Sequence, residues 1–129
     1  MRMRSLSLFL LAAISIPLTA LGHHSNSAYQ VDKIITLKGV VKDWRWSNPH
    51  TWLYLTVKDE KGQEQEWAVE GRAPGILGRA GWDPKILQPG EVVTVYASPA
   101  KDGSQKGIIA RVTKADGTVL SNQPDFFGN

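Results

Sequence analysis

The chain has 129 residues, room for one small domain, with 15 Lys and Arg against 12 Asp and Glu and a net charge of +3. It contains no cysteine, which excludes disulfides, thiolate metal sites and a lipid-anchored cysteine. Arg2 and Arg4 supply part of the positive excess, so no basic patch of the kind nucleic acid needs is left, and nucleic acid is not an expected partner.

Residues 1–22 have the layout of a cleaved signal peptide. Arg2 and Arg4 form a positive start, Leu6 to Ile16 is apolar, and Pro17 ends the run. A bilayer-spanning helix needs roughly 20 apolar residues, more than this run offers. Ala20 and Gly22 place small residues at the −3 and −1 positions of a cut after Gly22, with a cut after Ala20 as the competing site. Removing these residues, which carry two arginines and no acid, lowers the net charge from +3 to +1. The expectation is an exported, periplasmic protein with no membrane anchor after cleavage.

Residues 23–33 are polar, lack a period and read as an N-terminal arm. From Ile34 a long β pattern runs to Trp46. Leu37, Gly39 and Val41 share one face, whereas Trp44 and Trp46 fall in the opposite phase, so a bulge or bend near Lys42-Asp43 is expected. Ser47-Asn48-Pro49-His50 breaks the strand, because Pro restricts the preceding residue and donates no N–H. Thr51 to Lys58 is a second strand, with Leu53, Leu55 and Val57 inward and Trp52 and Tyr54 outward. Asp59 to Gly62 is a hairpin loop. In the third strand Gln65, Trp67 and Val69 alternate with Glu64, Glu66, Ala68 and Glu70, which makes Trp67 a core residue and the glutamates a solvated face.

The period then changes. Pro74 to Ala80 reads as a short helix with Pro in its first turn and Gly81 as its stop. Trp82 is expected to act as a plug, and Asp83-Pro84 to open a single further turn that ends at Leu87. Gln88-Pro89-Gly90-Glu91 is a turn, Val92 to Ala97 a fourth strand, and Gly107 to Thr113 a fifth. Asp116-Gly117 leads into a short strand at Thr118 to Leu120, and residues 121–129 form a polar tail. Three strands, a helix and two strands predict an all-β domain over residues 34–120, a five-stranded antiparallel OB-like barrel with one short helix. An open antiparallel sandwich is the alternative.

No Ser/His/Asp order, phosphate loop or dinucleotide fingerprint is present, so no catalytic residue is assigned. The three histidines are His23, His24 and His50. A cut after Gly22 makes His23 the first residue, and its amine and ring can chelate together. His50 would add a third nitrogen, a set that copper(II) favours, with His24 as substitute. The plain alternative is an exposed histidine pair on the arm and a hydrogen-bonded histidine at the corner. The arm enters the first strand at the end opposite His50. A straight strand could span roughly 40 Å, and an arm of about ten residues could fold back about 33 Å. Only a strongly bent strand would unite the two. Trp52, Tyr54 and Asn48 are the candidates for holding a flat ligand or a protein.

His23-His24-Ser25, Trp46, Asn48-Pro49-His50, Trp52-Leu53-Tyr54, Trp67-Ala68-Val69-Glu70-Gly71, Gly81-Trp82 and Pro89-Gly90-Glu91 together resemble a domain-of-unknown-function family of small exported Gram-negative bacterial proteins. The resemblance implies export and an OB-like barrel, and it brings no established activity. This chain departs from the family at Asn26, where an aromatic is frequent, which argues against an aromatic anchor for the arm. The expected function is therefore an exported binding module for a metal, small ligand or protein. Copper held by the mature N-terminus and His50 is the leading form. A metal-free interaction module that uses the Trp52/Tyr54 face is the alternative.

Overall fold

A computed structural model describes residues 28–122. The segment 1–22 expected to be a signal peptide, His23, His24 and residues 123–129 lie outside the described residues. The elements are β1 (Ile35–Arg45), β2 (Trp52–Lys58), β3 (Glu64–Glu70), α1 (Pro74–Arg79), β4 (Val92–Pro99), β5 (Lys106–Lys114) and β6 (Val119–Ser121). No helix among the described residues is long and apolar enough to cross a membrane.

The strands pair in the order β3-β2-β1-β4-β5-β6, and β3 also pairs with β5. That last pairing closes a five-stranded barrel with α1 between β3 and β4, the OB-like arrangement. The closing pair, Ala68 to Glu70 against Lys106 to Ile108, is parallel. The sheet is therefore mixed, where the sequence pattern predicted antiparallel pairing throughout. A pairing between strands distant in sequence leaves no turn signal from which its direction can be read.

β1 shows why one strand can serve two sheet partners. Leu37, Gly39 and Val41 alternate inward, and then Trp44, not Asp43, is buried. The ladder to β2 shifts between Val41 and Asp43, so Lys42 is the extra residue expected there. Gly39 lies where a Cβ would come within 2.7 Å of the Thr56 carbonyl oxygen. A side chain there would push β2 away from β1.

Alternation fills the barrel with Leu53, Leu55, Val69, Val93, Val95 and Val112, and α1 adds Leu77 from one end. Trp82 plugs that end, 3% exposed, with its indole N–H donated to the Ser121 carbonyl at 2.7 Å. Trp44 lies 5.4 Å from Trp82 and 5.9 Å from Trp46, ring to ring, and donates its own N–H to the Asp83 carbonyl. Asp83 to Leu87 is a turn without helix, held by the Lys85 N–H on the Asp83 carboxylate. Trp67 packs against the core but is only partly buried. It belongs to the margin of the barrel, not to its centre, because its strand is joined to β5 over only three residues.

Burial therefore ranks Trp82 above Trp67 for stability. Trp82→Ala should cost about 3–5 kcal/mol, as for a deeply buried tryptophan. Trp67→Ala should cost less. Urea unfolding of the two variants checks the order.

Candidate functional site

His50 ends the turn after β1, and Glu70 ends β3. Thr51 joins these two places. Its N–H and hydroxyl both donate to the Arg72 carbonyl, at 3.3 and 2.9 Å, and its carbonyl accepts from Gly71 at 2.9 Å. Gly71 is required here, since a Cβ would sit 2.3 Å from the Thr51 hydroxyl oxygen. The Asn48–Pro49 peptide in the turn is cis, and Ser47 donates to the His50 carbonyl.

This clamp brings the His50 ring onto the Glu70 carboxylate. Nδ1 lies 2.8 Å from Oε1, and Oε2 accepts the Tyr29 hydroxyl at 2.9 Å. Glu70 is 5% exposed. A buried carboxylate without partners would cost several kcal/mol. Here each oxygen has one, and no buried side-chain N or O among the described residues lacks a partner. The solvated acidic face read from alternation is thus corrected at its last member. Glu64 and Glu66 are exposed, whereas Glu70 is covered by the arm and the corner.

Tyr29 also corrects the expectation about the arm. Its backbone bridges to Ala100, the Ala28 carbonyl accepts from Lys101, and its ring is 6% exposed. It is an aromatic anchor for the arm. Tyr29 and His50 both bond the Glu70 carboxylate, so the arm lies at the corner from Tyr29 onward. Val31 and Ile34, just before β1, line the same cleft as His50.

That cleft has a volume of about 480 Å³. Glu70, Ser98 and Asn122 are its buried polar residues, and Ile76, Ile108 and Ile109 contribute apolar wall. Asn122 is fixed by accepting from the Arg72 N–H at 3.1 Å and donating its own backbone N–H to the Ala110 carbonyl. The carboxylate on Nδ1 places the proton of a neutral His50 on that nitrogen. Nε2, which has no partner among the described residues, is left as the lone-pair atom, the arrangement common behind metal-ligating histidines. The His50 side chain is 36% exposed. No cluster of three or more His, Cys, Asp or Glu that could hold a metal occurs among the described residues.

The other sequence candidates are separate from this cleft. Tyr54 lies in a second groove of about 450 Å³ with Lys42, Asp43, Glu66 and Lys106, and the Arg45 guanidinium sits 4.8 Å above its ring. Trp52 is half-buried and Asn48 exposed, and neither lines either groove. Sequence reading missed Tyr29 and Glu70. The usable signal was a lone tyrosine in a polar arm and a glutamate directly before a glycine.

Burial first, then the bond to Glu70, pushes the Tyr29 phenol well above its ordinary pKa. A raised folded value favours the folded state fully below the unfolded pKa of about 10 and is lost as pH rises through the folded value. Tyr29→Phe strips Oε2 of its partner and should cost about 1–3 kcal/mol near neutral pH. The gap between wild type and variant should stay level to about pH 10 and shrink above it. Urea melts across that range provide the check.

No curated protein matches the chain. Among solved structures it is similar to Rim1, a mitochondrial single-stranded DNA binding protein of S. cerevisiae, at 9% identity and a TM-score of 0.49, over 64% of this chain and 93% of that one. A family model described as a family of unknown function, DUF6152, matches residues 11–111, and the chain belongs to that family.

Proposed function

We propose that the protein is an exported, periplasmic binding module whose site is the His50–Glu70 cleft, and that it holds copper(II) through the mature N-terminal amine, His23 and His50. The observation that carries this reading is the shared carboxylate. Glu70 orients His50 with one oxygen and anchors the arm at Tyr29 with the other. From Tyr29 back to His23 is six residues, a reach of roughly 20 Å at full extension. The terminus starts its path beside the imidazole that it would have to meet. Neutral nitrogen donors suit copper(II), and no cysteine competes. His24 is the substitute ligand.

A metal-free interaction module at the Tyr54 groove is the second reading. It is favoured by the guanidinium stacked on an exposed-side aromatic and by the mixed charges around it.

Calorimetric titration of copper into three proteins decides between them. These are the chain cut after Gly22, the same chain carrying His50→Ala, and a form extended by one residue before His23. The cut wild type should bind tightest, and both changes should weaken binding at least about tenfold, as loss of one ligand from a chelate does. Acid should weaken it too, because protons compete for the same lone pairs. Equal affinity in all three would leave the copper reading without support, and mass spectrometry of the exported chain reports the cut itself.

A further inference from the structure

We propose that the His50 cleft also takes a single-chain amphiphile with a carboxylate head, held by Arg72 at its head and by the apolar rim along its tail. The inference rests on the cleft being a binding site, as above, but not on the metal.

Two independent features of the cleft point to this chemistry. The first is an unmatched cation. Arg72 lines the cleft, and its backbone N–H and carbonyl are used to hold Asn122 and Thr51, yet its guanidinium has no hydrogen-bonding or acidic partner among the described residues. The acid facing the same cleft is Glu70, and both its oxygens are already engaged by His50 and Tyr29. The free guanidinium therefore has a planar fork to offer an incoming carboxylate.

The second feature is the placement of exposed apolar side chains. Val31 is 60% exposed, Ile34 53% and Val119 60%, three of the five large hydrophobics exposed among the described residues. Val31 and Ile34 line the His50 cleft. Ile34 and Ala110 also line a neighbouring depression of about 370 Å³ that runs on to Val119. Its arginine, Arg111, lies 4.0 Å over the Tyr96 ring, stacked by its face with its N–H donors in plane. The result is two adjoining depressions with apolar side chains, Arg72 lining the first and the ring-stacked Arg111 the second. Ala110 joins the two depressions because β5 carries an extra residue there, the ladder to β4 stepping from Arg111 to Ile109. An arrangement of this kind suits a ligand with one anionic head and an unbranched tail, and its volumes are within the range of small-molecule sites.

The test is calorimetric titration of the full mature chain with dodecanoate below its micelle threshold, with dodecyltrimethylammonium and acetate as charge-reversed and tail-less probes. Dodecanoate should bind and the other two should not. Arg72→Gln leaves the backbone bonds in place and should weaken dodecanoate roughly tenfold or more, the scale of a charge-assisted hydrogen bond. Ile34→Gln changes an exposed side chain, so the fold is safe, and should weaken it several-fold. Copper is titrated in parallel. Dodecanoate lost in Arg72→Gln and weakened in Ile34→Gln, with urea unfolding of both variants unchanged, supports the proposal. Copper binding without any dodecanoate binding overturns it and leaves the metal reading standing. Equal binding of dodecanoate and the ammonium probe also overturns it. So do NMR contacts from Phe126 or Phe127 to Ile34 in ligand-free protein, which would make the chain's own C-terminal segment the occupant.

Discussion

Closure of the barrel depends on three residues of β3 lying parallel to three residues of β5. Every other strand pairing is an antiparallel ladder between neighbours in the sheet. The short seam has a consequence for charge. It ends at Glu70, opposite Ile108, so a carboxylate is carried into the wall of a closed structure. A charge in that position has to be given hydrogen-bond donors or it destabilises the fold. The donors come from two segments outside the barrel ladders, the arm at Tyr29 and the corner at His50.

This arrangement ties the cleft to the fold. The corner that carries His50 is clamped to the exit of β3 through Thr51, Gly71 and Arg72, and Arg72 is in turn fixed on Asn122 after β6. Elements from both ends of the described chain thus meet at one place. A histidine oriented by a buried carboxylate is held in one tautomer and one ring position, which is what a ligand or proton-accepting group requires. The cost of burying Glu70 is offset by the same two bonds that arrange the site.

The cleft and the core are built by opposite uses of apolar residues. Inside the barrel, Leu and Val from alternating positions are fully covered. On the arm and the strand edges, Val31, Ile34 and Val119 are left open. Large exposed hydrophobics scattered singly need no explanation, but these line two adjoining depressions that share Ile34. The Tyr54 groove differs, since each of Lys42 and Arg45 there already has an acidic partner, Glu66 and Asp43 respectively.

Local pattern alone was enough to determine the strands, the helix with its Pro at the first turn, the bulge at Lys42 and the plug at Trp82. Each is encoded by period, by a change of phase or by a Pro or Gly with one natural use. His50 was also conspicuous in the sequence, as a histidine beside Asn48-Pro49, and it lines the cleft. Only the tertiary structure decided that the closing strand pair is parallel, that Trp67 lies at the margin, and that Glu70 is buried. Alternation states which face a residue is on but not whether that face stays open to water. The face at Glu70 is closed by Tyr29, 41 residues earlier in the chain. No periodicity within either segment carries information about the other, so their meeting is a property of the closed barrel.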